Sequence, residues 1–257
     1  MTPDVLIISG LDPSGGAGFI ADTRVVHMLG GRPVGAVTTS TVQNTQGVRS
    51  VHDVDAALLG EQLNALLSDV EVRAVKIGMI GSIELVGVID EALQLTNAPV
   101  VWDPIAAPTL GAVAFGRELL EAGVRTLAPH LTLMTPNTNE LALLTGAEIA
   151  TLEAAVAAGT AFARANKLAV LVKGGHLAEP TVSVDVLCTA DGELEYFRAP
   201  RIASADVHGT GCALSSAIAT YLARGESLVA ACRAAKQFVA ERIAAPVRPG
   251  QGAPAVM

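Results

Sequence analysis

One loop of this chain combines glycines, a histidine and a cysteine directly before a predicted helix. An Ala-rich amphipathic run follows the loop, which reads Asp206-Val207-His208-Gly209-Thr210-Gly211-Cys212. The first N–H groups of a helix have no partner within it and lie at the positive end of its dipole, so they bind anions. With a thiol at its end, such a loop suits phosphate transfer. A glycine turn before an ordinary buried helix is the alternative interpretation.

Two carboxylates follow predicted strands and could hold a metal ion. Asp103 ends one strand, and Glu140 closes the run Thr135-Pro136-Asn137-Thr138-Asn139-Glu140 after another. Mg²⁺ keeps several waters and takes phosphate oxygens, so these two carboxylates suffice as ligands, directly or through water. The same residues predict a capping box, with Asn137 as the N-cap and Glu140 at the third helical position. Both roles can coexist.

A lysine ends a further predicted strand. Lys173 precedes Gly174-Gly175-His176, and the two glycines allow a ligand to approach the backbone closely. A nucleotide phosphate is a natural partner for this lysine, and a solvated side chain before a turn is the alternative.

Two common nucleotide motifs are excluded. The letters from Gly16 to Ala21 match a dinucleotide fingerprint, but they do not directly follow a strand, and the second strand ends without an acidic residue for a ribose. The chain also contains no GxxxxGK[ST] sequence for a P-loop.

The candidate residues are predicted to lie at one edge of a mainly parallel sheet. Apolar runs predict strands at 5–8, 34–39, 74–77, 100–102, 131–134 and 168–172, and they alternate with helical patterns at 17–29, 56–68, 83–95, 115–127, 139–145, 152–165, 212–223 and 228–243. Such alternation indicates an α/β sandwich with helices on both faces of the sheet. The runs 183–188 and 194–198 predict a late antiparallel hairpin around Asp191-Gly192. Ligands of such sheets bind beyond the carboxyl ends of the strands.

The chain is predicted to form one domain. No linker or repeat divides residues 1–257, and residues 246–257, rich in Pro, Gly and Ala, are expected to be a loose end.

Composition limits the classes of partner. The net charge of −8 argues against binding to nucleic acid or to an anionic membrane surface, and the low aromatic content of 3% argues further against binding to nucleic acid. No apolar run approaches the length of a membrane span. The odd number of cysteines, three, fits a reducing cytoplasm, with Cys188 and Cys232 expected in the core. Cys212 differs, because a thiol at a helix start can have a lowered pKa and then accept a proton.

The full set of motifs resembles the hydroxymethylpyrimidine and phosphomethylpyrimidine kinases of thiamine biosynthesis, in the ribokinase-like superfamily. The resemblance covers residues 5–245 and is carried, in this order, by Asp12-Pro13-Ser14-Gly15-Gly16-Ala17-Gly18, Gln43-Asn44-Thr45, Lys76-Ile77-Gly78-Met79, Asp103-Pro104, Thr135-Pro136-Asn137, Lys173-Gly174-Gly175-His176 and His208-Gly209-Thr210-Gly211-Cys212.

The resemblance implies a cytoplasmic homodimer with a ribokinase-like three-layer fold that uses ATP and Mg²⁺ to phosphorylate 4-amino-5-hydroxymethyl-2-methylpyrimidine, and often its monophosphate. It also implies a role for each matching residue. Gly10, Asp12, Gln43 and Met79 would bind the pyrimidine; Lys173, Thr135, Asn137, Gly174 and His208 would bind the nucleotide; Asp103 and Glu140 would hold the metal. Gly209, Thr210 and Gly211 would form the anion hole, and Cys212 stands where most relatives carry a catalytic Asp.

Two departures from the family pattern concern positive charge. Residues 105–111, which read Ile-Ala-Ala-Pro-Thr-Leu-Gly, lack the Lys that family members often carry in a flap over the phosphates. The loop before the anion hole reads Ala205-Asp206-Val207-His208 instead of Lys-Asn-Thr-His. The first phosphorylation is therefore better supported than the second.

Three other functions remain open at this point. A pyridoxal-type kinase of the same superfamily shares the metal, ATP and cysteine chemistry. A ligand-binding homologue without turnover would explain the missing flap lysine. A hydrolase using Cys212 and His208 lacks the expected nucleophile elbow.

Overall fold

A single nine-stranded sheet runs through the residues that the computed structural model describes, which are 2–106, 116–175, 177, 181–202 and 207–257. Its strands are β1 (Asp4–Leu11), β2 (Arg32–Asn44), β3 (Gly47–Asp53), β4 (Ala74–Ile77), β5 (Val100–Trp102), β6 (Leu133–Met134), β7 (Ala169–Val172), β8 (Val182–Cys188) and β9 (Leu194–Pro200). Their order is β3-β2-β1-β4-β5-β6-β7-β8-β9. Strands β2, β1, β4, β5, β6 and β7 are parallel, while β3, β8 and β9 pair antiparallel. The mainly parallel sheet and the late hairpin are confirmed.

Helices cover both faces of this sheet. In the described ranges they are α1 (Gly18–Met28), α2 (Ala56–Leu67), α3 (Ile83–Leu93), α4 (Arg117–Leu127), α5 (Thr138–Thr145), α6 (Leu152–Asn166), α7 (Thr210–Ala223) and α8 (Leu228–Ala244). Helices α2 to α6 pack into one apolar core, and α1, α7 and α8 pack into the other. The predicted three-layer sandwich is therefore confirmed. No helix among the described residues has the length and hydropathy needed to cross a bilayer.

Strand β1 shows why the central strands read as unbroken apolar runs. Leu6 and Ile8 pack in one core, whereas Val5 and Ile7 pack in the other. Successive side chains of a strand point to opposite faces, so a strand covered on both faces must be apolar at every position.

Most helices begin at a side-chain cap. Asp55, Ser82, Thr151 and Ser227 each accept a hydrogen bond from an N–H of the first turn. The predicted capping box is also present at α5, because Asn137 and Glu140 each accept from the other's backbone N–H. Helix α7 differs: its N-cap is Gly209, with φ +83° and no side-chain hydrogen bond.

The hairpin of β2 and β3 is missing from the sequence prediction. Strand β2 continues past the predicted limit at residue 39 to Asn44, and β3 returns from Gly47. Polar side chains dominate this extension, and Asn44 Oδ1 accepts from the N–H of Gln46 inside the turn, so the segment resembled a loop. The ends of most other strands and helices differ from the predicted limits by a few residues. The helix predicted at 115–127 is α4, and its residue 115 lies outside the described ranges.

The prediction of a loose end for residues 246–257 is wrong, because the segment is tied to the rest of the chain although residues 247–251 are exposed. Val247 and Ala255 pair antiparallel, and Ala255 also pairs with His208. Ala255 and Val256 are almost fully buried, at 1% and 2% exposure. The small residues that suggested flexibility instead allow the segment to pack closely against the rest of the chain.

Candidate functional site

A cavity of about 900 Å³ lies at the carboxyl ends of the parallel strands. Every predicted site residue lines it except Thr135 and Gly174. The cavity thus brings together loops that follow β1, β4, β5, β6 and β7 with the start of α7. This agrees with the rule that ligands of parallel sheets bind beyond the carboxyl ends of the strands.

Gly10 and Met79 form an apolar wall at one end of the cavity. A Cβ atom on Gly10 would lie 2.5 Å from Met79 Cε, so the backbone of Gly10 and the end of the Met79 side chain lie in close contact. Gln43, on the extension of β2, faces the same end with its carboxamide half-buried. Thr41 donates its hydroxyl to the carbonyl of Leu11 over 2.8 Å, and its Oγ1 lies 3.2 Å from the Gln43 carboxamide. An apolar wall with one amide suits a flat, polar-edged ring.

Asp12 organises the loop beside Gln43. Its Oδ1 accepts from the N–H and hydroxyl of Ser14, and its Oδ2 accepts from the N–H of Ala17. His208 Nε2 lies 3.2 Å from Asp12 Oδ2. Burial raises the pKa of Asp12, but the hydrogen bonds from His208 and Ser14 outweigh it, and the pKa lies below its ordinary value. The carboxylate is therefore ionised and can only accept hydrogen bonds.

The protonation of His208 follows from this contact. Because the ionised Asp12 can only accept, His208 Nε2 carries a hydrogen. The Gln43 carboxamide lies 3.3 Å from His208 Nε2, and because amide oxygen and nitrogen are told apart only by their hydrogen-bond partners, its oxygen faces this donor. The amide nitrogen then faces Thr41 Oγ1, which can accept one of its hydrogens and leaves the other for a ligand.

Lys173 joins two carboxylates at the other end of the cavity. Its Nζ lies 2.7 Å from Asp103 Oδ1 and 3.8 Å from Glu140 Oε2. Asp103 and Glu140 are buried, at 1% and 5% exposure. The sequence placed all three residues at strand ends, and the structure brings them into one cluster.

Burial shifts the ionisation of this cluster. The pKa of Glu140 is raised to about 7, chiefly by burial, partly offset by Lys173, with repulsion from Asp103 adding to the rise. Burial lowers the pKa of Lys173, but Asp103 and Glu140 outweigh it, so the pKa lies above its ordinary value. The cluster therefore holds a firmly charged lysine and one carboxyl group that titrates near neutrality.

The start of α7 faces this charged cluster. No side chain caps the helix, so the N–H groups of Thr210, Gly211 and Cys212 have no partner within it. A Cβ on Gly211 would lie 3.2 Å from both Asp103 Oδ2 and Lys173 Nζ. Gly209 approaches the carbonyl oxygen of Gly16 so closely that a side chain cannot fit. The free donors and the lysine together form an anion site.

Cys212 lies at the floor of the cavity and is buried, at 7% exposure. Burial raises the pKa of its thiol to about 12, although Lys76 opposes the rise. The sequence-based expectation of a lowered pKa is wrong, because loss of water outweighs the favourable field of the helix start. Cys188 and Cys232 are free and buried, as predicted.

Beside Cys212 lies a buried ion pair to which the sequence prediction gave no role. Lys76 Nζ lies 2.6 Å from Asp22 Oδ2, and both side chains are fully buried. Ser9 and Ser216 donate their hydroxyls to the same carboxylate. The signal was present, because Lys76 interrupts an otherwise apolar strand.

Thr135 and Gly174, predicted as nucleotide-binding, do not line the cavity. Thr135 is fully buried and donates its hydroxyl to Asp103 Oδ1 over 3.1 Å, so it orients that carboxylate. Gly174 donates its N–H to Asp185 Oδ1, and Asp185 Oδ2 pairs with Lys236 Nζ at 2.8 Å. Lys236 lines the cavity from α8 and was also missed. Helix α8 also carries Arg233, Glu241 and Arg242, so its sequence did not single out Lys236.

Some sequence-based expectations lie outside the described residues. These are residues 107–111 of the loop without a lysine, His176, and the pair Ala205-Asp206 before the anion hole.

The two ends of the cavity together support one type of chemistry. One end can hold a flat ring by its polar edge, and the other combines carboxylates, a lysine and free helix N–H groups. Phosphoryl transfer needs positioning of the reactants and neutralisation of charge on the phosphate, and these groups supply both.

Comparison with known proteins agrees with this chemistry. The model of the phosphomethylpyrimidine kinase family matches residues 12–257. A hydroxymethylpyrimidine/phosphomethylpyrimidine kinase of Streptomyces coelicolor is 39% identical over 246 residues, which cover 95% of this chain and 89% of that protein.

Solved structures show the same fold. A phosphomethylpyrimidine kinase from Clostridium difficile has a TM-score of 0.81 and 32% identity, covering 95% of this chain and 100% of that one. The pyridoxal kinase from Staphylococcus aureus in complex with AMP-PCP has a TM-score of 0.90 and 26% identity, covering 99% of this chain and 93% of that one.

Proposed function

This chain belongs to the phosphomethylpyrimidine kinase family, and on that premise we propose that it transfers the γ-phosphate of ATP to the hydroxyl group of 4-amino-5-hydroxymethyl-2-methylpyrimidine in thiamine biosynthesis. The observation that carries the proposal is the single cavity that joins Gln43 and Met79 at one end with Lys173 and the start of α7 at the other.

The ring-binding end fits the pyrimidine. Met79 and Gly10 supply a flat apolar wall, and the Gln43 amide can pair with the donors and acceptors along the ring edge. One amide hydrogen of Gln43 is needed by neither Thr41 nor His208, so it can donate to the ring edge.

The charged end fits ATP with a magnesium ion. Asp103 and Glu140 are buried carboxylates that face the cavity, and the carboxylate oxygen is the ligand that Mg²⁺ prefers. Bound there, the metal would neutralise charge on the phosphates. Lys173 contributes a second positive charge. Its carboxylate neighbours raise its pKa, so its ammonium group stays protonated.

Transfer breaks the bond between the γ-phosphorus and the ADP oxygen and forms a bond to the hydroxymethyl oxygen. The N–H groups of Thr210, Gly211 and Cys212 hold the transferring group. A thiol with a pKa of about 12 is protonated at neutral pH, so Cys212 orients the acceptor hydroxyl through its sulfur lone pair. The hydroxyl proton leaves to solvent late, as a loose transition state allows.

A coupled assay tests the proposal. Purified protein with Mg-ATP is incubated with the pyrimidine alcohol, with pyridoxal and with glycerol, and products are identified by mass spectrometry. We expect stoichiometric phosphorylated pyrimidine and ADP. Pyridoxal is in the panel because the pyridoxal kinase fold is so similar; phosphorylation of pyridoxal alone, or of nothing, contradicts the assignment.

Assembly and location complete the proposal. A homodimer in the cytoplasm is expected, and the cytoplasmic location fits the three free cysteines. Light scattering on the purified protein measures the mass of the assembly and thereby tests the homodimer.

A further inference from the structure

We propose that residues 246–257, the final segment, are a positioning element of the active site that fixes the distance between Gln43 and the start of α7. This inference rests on the proposed function for its kinetic consequences. Its structural part stands on the contacts of the segment with two separate loops.

The first contact holds the loop before α7. His208 donates its backbone N–H to the carbonyl of Pro254 over 2.8 Å, and its carbonyl accepts from the N–H of Val256 over 3.1 Å. Both backbone polar groups of His208 are thus used by the final segment. The next residue, Gly209, is the N-cap of α7, so these two bonds set where the anion site starts.

The second contact holds the turn after Gln43. The carbonyl of Thr45 accepts from the N–H of Ala253 over 3.0 Å, and its hydroxyl accepts from the N–H of Gly252 over 3.0 Å. Thr45 lies two residues from Gln43. The final segment therefore bridges the ring-binding end and the phosphate-binding end of the cavity.

The last part of the bridge is buried. Ala255 and Val256 are almost fully buried, whereas residues 247–251 are exposed. A Cβ on Gly16 would lie 3.2 Å from the Ala255 Cβ, and a Cβ on Gly209 would lie 3.4 Å from Val256 Cγ2. The segment itself is closed by the paired hydrogen bonds between Val247 and Ala255, each 2.9 Å. A bridge that is closed by hydrogen bonds and buried where it meets His208 transmits position, whereas a loose one does not.

The position of His208 matters to both reactants. Its imidazole lies between Asp12 and Gln43, and its backbone leads directly into the N–H groups of α7. Misplacing reacting groups by about 1 Å can cost on the order of 100-fold in rate. The segment is therefore expected to affect the rate of transfer as well as folding.

Paired proline variants test each half of the bridge. Val256→Pro removes the N–H that donates to His208, and Val256→Ala removes only the two γ-methyl groups and keeps that N–H. Ala253→Pro removes the N–H that donates to Thr45, and Ala253→Ser keeps it. We expect V256P to have a kcat lower than that of V256A by roughly 10–100-fold. We expect A253P to raise the KM for the pyrimidine by about 10-fold over A253S. The Kd for ADP should match within each pair.

Rescue in trans separates positioning from stability. The chain shortened to residue 245 is assayed with a synthetic peptide of residues 246–257 at about 1 mM, and with a scrambled peptide. We expect kcat to recover with the first peptide only. Hydrogen exchange of the amides of residues 43–46 and 208–213 should slow in parallel.

The outcomes are distinct. Wild-type kinetics and exchange in both V256P and A253P would overturn the proposal, as would full activity of the shortened chain without peptide. If V256P fails to fold, the comparison of A253P with A253S and the peptide rescue decide. If the wild-type protein phosphorylates no alcohol, the proposed function fails, while faster exchange at residues 208–213 in V256P would still establish the bridge.

Discussion

Lys76 donates to Asp22 over 2.6 Å, and neither side chain of this pair has any exposure to solvent. Burial lowers the pKa of Lys76, but the charges of Asp22 and Asp103 and the hydrogen bond to Asp22 outweigh burial, so the pKa lies above its ordinary value and the lysine stays charged. A buried charge without its partner is costly.

Removing one member of the pair should destabilise the protein strongly. Asp22→Asn leaves the Lys76 ammonium without a counter-charge, and we expect a loss of about 3–5 kcal/mol in the free energy of unfolding by urea denaturation. The double variant Lys76→Met/Asp22→Asn should lose less than D22N alone. Arg32→Ala, which breaks the exposed pair with Asp4, is the control and should change little. Equal losses for D22N and R32A would contradict the argument.

Gln43→Ala should weaken binding of the pyrimidine. The ring edge would lose its hydrogen-bonding partner, and we expect a loss of about 1–3 kcal/mol in binding free energy by titration calorimetry. ADP affinity should stay the same, because Gln43 lies at the opposite end of the cavity from Lys173. Val42→Ala, at an exposed neighbour, is the control. An equal loss for both ligands would indicate a structural role for Gln43.

Cys212 variants should distinguish orientation from proton abstraction. If the thiol orients the hydroxyl, Cys212→Ala lowers kcat by roughly 10–100-fold, and Cys212→Ser recovers most of it. If the thiol were a general base, Cys212→Ala would instead lower kcat by about 10²–10⁴-fold, and the wild-type kcat would keep rising with pH toward the thiol pKa of about 12.

The burial of all three cysteines also predicts slow alkylation by iodoacetamide at pH 7. Rapid labelling of Cys212 in a peptide map would contradict the raised pKa.

Glu140 should make the stability of the ligand-free protein depend on pH. Its pKa rises from 4.5 to about 7 on folding, so the folded state binds the proton more tightly. Stability is then unaffected below pH 4.5, falls as the pH rises from 4.5 to 7, and levels off above. Relative to Glu140→Gln, the wild-type protein should lose up to about 3 kcal/mol across this window, measured by denaturation in buffers without metal. Parallel pH profiles for the two proteins would refute the assignment.

The monophosphate should be a poorer substrate than the alcohol. Residues 105–111 contain no lysine, and one charge-assisted hydrogen bond contributes about 1.5–3 kcal/mol, so we expect kcat/KM to be lower by roughly 10-fold or more. Thr109→Lys should raise activity on the monophosphate selectively, and Thr109→Met is the uncharged control. Equal efficiency of the wild-type protein on both substrates would show that other groups bind the second phosphate.

Sequence reasoning found the fold and most of the cavity wall because periodicity and strand ends carry that information. Asp103, Glu140 and Lys173 stand directly after apolar runs, and parallel topology alone requires those ends to meet. Thr135 was misassigned because its position after a strand does not reveal which way its hydroxyl points. It points to Asp103.

The parts that sequence could not predict depend on long-range packing. The raised pKa of Cys212 comes from burial by distant elements, which no local motif encodes. Residues 246–257 are too rich in glycine and proline to show any period, and their order comes from hydrogen bonds to Thr45 and His208. Strand β3 was hidden for a related reason, since its pairing with β2 is antiparallel and largely polar.

The sheet ends in β3 on one side and β9 on the other, and both edge strands carry charge. Strand β3 contains Arg49 and Asp53, and β9 contains Glu195 and Arg198 and ends at Pro200. Charged side chains and proline on an edge disfavour pairing with a strand of another molecule, which is the usual first step of β-aggregation. Concentrated protein is therefore expected to resist fibril formation through these two edges.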